Sequence, residues 1–137
     1  MNNKNNPSPT TIMDTPIACG FPSPAADSKE SSLDFNELLL KHKSSTYCLR
    51  ASGRSLENSG IYDGDILIVD KSLTPKNNDL VVAEYQGGFT AKRLKIKGDT
   101  IYLHPECDDY PDIQITEKDS FSLFGVISAV VRTYRKW

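Results

Sequence analysis

From Thr46 onward, apolar positions recur with a period of two or in short unbroken runs, and turn-forming residues interrupt them at short intervals. Tyr47 and Leu49 alternate with Cys48 and Arg50, which predicts a strand over Thr46–Arg50. Asp63-Gly64-Asp65 turns into Ile66–Val69, a continuous apolar run suited to a strand covered on both faces. Asn77-Asn78-Asp79 leads into Leu80–Tyr85, and Gln86-Gly87-Gly88 is a hairpin signal that sends the chain back along Phe89–Ile96. Lys97-Gly98-Asp99 precedes a strand over Thr100–Leu103, and His104–Pro111 reads as a polar loop. Ile113–Ile115 is a short strand and Ser122–Tyr134 a long closing one. Many short strands with almost no helix predict a mainly β domain, compact and chiefly antiparallel.

The first 32 residues show neither period. Asn, Ser, Thr and Pro dominate, so residues 1–32 read as a flexible N-terminal arm and 33–137 as the β-rich domain. Inside the arm, Pro16-Ile17-Ala18-Cys19-Gly20-Phe21-Pro22 is apolar and extended by its prolines, with two small residues side by side. Such a segment suits a protease groove, which must approach the peptide closely, although taken alone it reads as an ordinary linker. Leu33, Phe35, Leu38 and Leu39 gather near one helical face, predicting a helix of about two turns with Ser31 or Ser32 as N-cap. His42 then falls near the helix C-terminus.

Composition narrows the function classes. A length of 137 residues suggests one domain, and the part beyond the arm is long enough for a single modest core. A net charge of −2 gives no support to a large nucleic-acid face, and Arg132, Arg135 and Lys136 read as a short solvated basic tail, so no intrinsic DNA binding is expected. Cys19, Cys48 and Cys107 are odd in number, far apart and without a Cys-x-x-Cys, and His104-Pro105-Glu106-Cys107 lacks a second ligand pair. No metal or other cofactor is therefore expected. The lack of a basic-then-apolar leader or a long apolar run predicts a cytoplasmic chain with reduced thiols and no membrane association.

Candidate chemistry lies in two places. Ala51-Ser52-Gly53-Arg54-Ser55-Leu56 stands between a strand and a turn, one way to present a hydroxyl for attack; taken alone, it reads as a turn capped by Ser52 and Ser55. In the strand Phe89-Thr90-Ala91-Lys92-Arg93-Leu94, alternation puts Lys92 on the face of Thr90 and Leu94, opposite Phe89, Ala91 and Arg93. Desolvation there would favour the neutral amine, a competent base for a serine hydroxyl, although a strand lysine more commonly reaches out to water. With His42 and His104 both in polar settings, a Ser-Lys dyad is the one nucleophile–base pairing with a physical rationale.

Five segments in order carry a family resemblance: Cys19–Asp27, Leu33–Leu39, the Ser55 segment, Gly64–Asp70 and Phe89–Leu94. Their sequence and spacing resemble the LexA/UmuD family of self-cleaving serine peptidases, over roughly residues 17–134. The resemblance implies the compact fold of that family, with Ser55 as nucleophile, Lys92 as general base, the backbone amides of Arg54 and Ser55 as oxyanion hole, and Cys19–Gly20 as the bond cut. It also implies SOS-response self-cleavage stimulated by a RecA–single-stranded-DNA filament. The shortened product, a homodimer, would serve a UmuC-type DNA polymerase subunit in error-prone translesion synthesis. Family members often carry Asp before the nucleophile and Met after it, where this chain has Arg54 and Leu56. An inward Arg54 would lower the Lys92 pKa further; an outward one would alter partner contacts. Arg54 also motivates an alternative, a non-cleaving UmuD-like binding module or dimerising antagonist. A LexA-like repressor is disfavoured, since no helix-turn-helix fits before Cys19.

Overall fold

The computed structural model describes residues 10–22 and 29–136, in two compact units divided after Lys41. In the first unit, β1 (Thr10–Met13) pairs antiparallel with β2 (Glu30–Leu33), Thr10 opposite Leu33 and Met13 opposite Glu30. The Asp14 N–H extends this ladder to the Lys29 carbonyl at 2.8 Å. The sequence reading placed no strand within residues 1–32. Both segments are short and almost wholly exposed, so backbone pairing rather than a buried face defines them, and no apolar period marks them. The remainder of that span, 1–9 and 23–28, lies outside the described residues.

Helix α1 (Phe35–Leu39) is shorter than predicted and buries none of its residues. Its N-cap is Asp34, whose carboxylate accepts the Asn36 N–H at 2.9 Å, because Ser31 and Ser32 are taken up by β2. No helix among the described residues is long and apolar enough to cross a membrane.

The second unit contains β3 (Thr46–Arg50), β4 (Ile66–Asp70), β5 (Leu80–Tyr85), β6 (Gly88–Lys97), β7 (Thr100–His104), β8 (Ile113–Ile115) and β9 (Phe121–Val131). They form one sheet in the order β3-β4-β9-β5-β6-β7-β8, antiparallel at every pairing. Each predicted strand is present, and β9 stops at Val131 rather than Tyr134. Two apolar clusters account for the long unbroken runs. Val82 of β5 packs with Leu56, Ile61, Leu67 and Val69, while its neighbours Val81 and Ala83 pack with Leu94, Leu103 and Val126. Full burial of each such Val or Leu side chain stabilises the fold by about 1.5–3 kcal/mol.

β9 passes between β4 and β5, and its register shifts against both, between Ile68 and Val69 on one side and between Val82 and Ala83 on the other. At this irregularity Gly125 lies so close to β4 that a Cβ there would sit 2.8 Å from Val69 Cγ1 and 3.1 Å from the Asp70 carbonyl oxygen. Asp70, buried at the end of β4, gathers the segments around it. It accepts the Ser72 hydroxyl at 2.6 Å and the Ser72 N–H at 2.8 Å, and its Oδ2 lies 2.6 Å from His42 Nδ1. His42 is thus held by a carboxylate, where the sequence reading set it against the end of a helix.

Two outcomes follow for stability. Gly125→Ala should cost about 1–3 kcal/mol in urea unfolding, because the clash falls partly on backbone that cannot move aside. Ser72 first and His42 second hold the Asp70 carboxyl down at about 2, below its ordinary 3.8. Its folded value being the lower, Asp70 stabilises the fold above about pH 3.8 and loses that contribution as pH falls towards 2. Melting curves of the parent and Asp70→Asn chains should therefore converge in that window; an unchanged gap would refute the assignment.

Candidate active site

The turn after β3 is shaped by local chemistry. Gly53 adopts φ 93°, a left-handed conformation that costs a glycine little, and its N–H donates to Asp63 Oδ1 at 2.8 Å. Residues Glu57–Ser59 form a short 3-10 turn that ends on Gly60 at φ 78°. Leu56 and Ile61 are buried among Leu67, Val69 and Val82, so they root the turn in the core on either side of its polar residues. Ser55, next to the buried Leu56, remains half-buried at the surface. The Ala51 N–H to Asp65 carbonyl bond, at 2.7 Å, continues the β3–β4 pairing into this loop.

Lys92 stands in the middle of β6, opposite Val81 of β5. It shares its face with Thr90 and Leu94, as alternation predicts, and Nζ donates to Thr90 Oγ1 at 2.6 Å and to the Ala91 carbonyl at 3.2 Å. The Ser55 hydroxyl donates to that same Ala91 carbonyl, also at 3.2 Å. One backbone oxygen therefore gathers the two side chains that the sequence singled out. Burial pushes the Lys92 ammonium below its ordinary 10.5, opposed in part by Cys107, which is itself buried beside it. Both residues line a cleft of about 420 Å³ together with Gly53, Arg54, Tyr110, Pro111 and Ile113.

Arg54 points outward. Its guanidinium is exposed and pairs with Glu57 at 3.1 Å and Asp109 at 3.2 Å, and it is not a cause of the Lys92 shift. Among the described residues, the backbone amides of Arg54 and Ser55 donate to no protein acceptor. Cys19 and Gly20 belong to the first unit and are exposed, in a stretch without helix or strand. His104 ends β7 with Nδ1 on Asp112, so the His104–Cys107 spacing corresponds to a carboxylate-bound ring and a buried thiol.

Sequence reasoning missed the groups that brace the turn. Arg132, read as part of a solvated tail, donates through Nε to Asp65 Oδ1 at 2.6 Å and through a terminal nitrogen to the Gly60 carbonyl at 2.7 Å. Asp65 is 2% exposed, and the arginine hydrogen bonds hold its carboxyl below the usual range. Glu106 and Arg93 form a second brace, with Arg93 Nε 2.5 Å from Glu106 Oε1. The one local signal available was Arg93 itself, a charged residue alternating with Lys92 in a strand that had to be paired on both edges.

The profile of the Peptidase S24-like family matches residues 11–128. The chain is 38% identical over 117 residues to Protein ImpA of Salmonella typhimurium, covering 85% of this chain and 79% of that one. Protein SamA of the same species is 40% identical over 116 residues, 85% of this chain and 80% of that one. The LexA repressor of Glaesserella parasuis is 36% identical over 118 residues, 85% of this chain but 56% of the repressor. With a family profile spanning most of the chain and relatives at this identity over most of their own length, the chain belongs to the Peptidase S24-like family.

Proposed function

We propose that this chain is a serine peptidase that cuts itself at Cys19–Gly20 with a Ser55–Lys92 dyad. The observation that carries the reading is the convergence of Ser55 Oγ and Lys92 Nζ on the Ala91 carbonyl, inside a cleft where burial favours the neutral amine. Neutral Lys92 takes the Ser55 proton while Oγ attacks the Cys19 carbonyl carbon. The backbone amides of Arg54 and Ser55 are the donors for the oxyanion that forms. The Lys92 ammonium then returns the proton to the departing Gly20 nitrogen, leaving Cys19 esterified to Ser55. Water, deprotonated by Lys92, hydrolyses that ester and frees residues 20–137.

We read this chemistry as part of SOS mutagenesis, a reading supported by the likeness to Protein ImpA, Protein SamA and the LexA repressor. In our reading a RecA–single-stranded-DNA filament stimulates the cut, and the product acts as a homodimer, the accessory subunit of a UmuC-type translesion polymerase. No step uses a metal or cofactor.

Intact-mass analysis of the full chain at alkaline pH should yield two fragments meeting at Cys19–Gly20, faster when RecA filament is added. Ser55→Ala and Lys92→Ala should each slow the cut by at least about 1000-fold. Cleavage that survives Ser55→Ala, or that maps elsewhere, would sink the mechanism. An intact chain that still forms mixed dimers with a UmuD-type partner would identify a binding module instead. The single-turnover rate should rise with pH and level off at a midpoint below the ordinary lysine value of about 10.4, because the base must lose its proton. A midpoint at or above that value would remove Lys92 from the role.

A further inference from the structure

Three consecutive residues of β6 act on the serine turn. Ala91 offers its carbonyl to Ser55 Oγ, Lys92 donates to that same carbonyl, and Arg93, on the opposite face, reaches the turn by a different route. The Arg93 guanidinium has three partners: Glu106 through Nε at 2.5 Å, the Ser59 hydroxyl at 2.8 Å and the Asn78 carbonyl at 2.8 Å. Glu106 in turn grips the turn with its backbone, its N–H donating to the Ser55 carbonyl at 2.5 Å and its carbonyl accepting the Asn58 N–H at 2.6 Å. The loop after β7 is thereby laced to both sides of the segment from Ser55 to Asn58. The Arg93 and Glu106 side chains are 24% and 18% exposed, so the pair is sheltered from most of the solvent screening that weakens surface ion pairs.

We propose that Arg93 and Glu106 are positioning residues that hold the Ser55 turn at a fixed distance from Lys92. Neither touches the reacting atoms. Glu106 fixes the main chain of the nucleophile, and Arg93 fixes Glu106 to the strand that carries the base. Because Lys92 and Arg93 are neighbours in one strand, any shift of β6 moves base and brace together, and the Ser55–Lys92 separation is preserved. Displacements of about 1 Å at a reacting pair cost up to about 100-fold in rate, which sets the scale for losing such a brace.

This inference rests on the proposed self-cleavage, and the experiment separates the two. Glu106→Gln, Arg93→Gln and the swapped double variant Arg93→Glu/Glu106→Arg are compared with the parent and Ser55→Ala as full chains. The readouts are single-turnover self-cleavage across pH and amide hydrogen exchange. The single variants should cleave about 10- to 100-fold more slowly with the pH midpoint unmoved, since the surroundings of Lys92 are kept. Exchange should rise at residues 55–59 and stay at the parental level in β4, β5 and β9, and the swap should recover part of the rate. Parental cleavage rates in both single variants would overturn the inference while leaving the dyad standing, as would a slowing matched by faster exchange across the whole sheet. A parent chain that does not cleave, or a Ser55→Ala chain that does, would overturn the dyad and the positioning role with it.

Discussion

The arrangement depends on the alternation of β6, held by a ladder to β5 over Gly88–Arg93 and by a ladder to β7 over Arg93–Lys97. Leu80–Tyr85 pairs with it along one side and Thr100–His104 along the other. A strand paired in this way cannot rotate, and a one-residue slip would send every side chain to the wrong face. Lys92 is therefore kept on the face of Val81 and Leu94, and Arg93 on the opposite one. Moving Lys92 to the other face would mean breaking the ladder to β5, in which it stands opposite the buried Val81. Such a site is more rigid than one built from loops, and only its serine half sits on a turn that needs further bracing.

The character of the lysine comes from burial and not from a neighbouring positive charge. Arg54 takes no part in that effect, its exposed guanidinium paired with Glu57 and Asp109 at the surface. A positive charge at this position, held outward by two carboxylates, thus leaves the base undisturbed. The base depends instead on the burial that its surroundings provide. Tyr110, Pro111 and Ile113 line the cleft from the far side, and they follow directly on the loop that Glu106 anchors.

The sequence was most legible where structure repeats locally. Seven strands were marked by alternation or by apolar runs between turn residues, and the Lys92 face followed from counting by twos. Ser55 was not distinguishable from an ordinary turn serine, because its partner, the Ala91 carbonyl, lies 36 residues further on and carries no side-chain signature. Asp65 and Arg132 are separated by 67 residues, so a buried carboxylate and its arginine read as a turn and a tail. Glu106 escaped for a related reason: its grip on Ser55 and Asn58 is made by backbone atoms, which every residue possesses. Resemblance to a family singled out Ser55, but it gave no sign of Asp65, Arg132 or Glu106.

The short ladder of the first unit gives the proposed cut a structural meaning. The Cys19–Gly20 bond lies in the segment between β1 and β2, which pair over four positions and bury almost no side chain. A ladder without a buried face belongs to the low end of local stability. Hydrolysis at that bond would place β1 in one product and β2 in the other. Glu30–Leu33 would then lose its covalently held partner and present unpaired backbone groups, an edge open to pairing with another chain. The charge of the main product would change little, since the sequence places only Lys4 and Asp14 as charged side chains ahead of the bond. What such a cut alters is therefore strand pairing and exposed surface, the properties on which assembly with a partner depends.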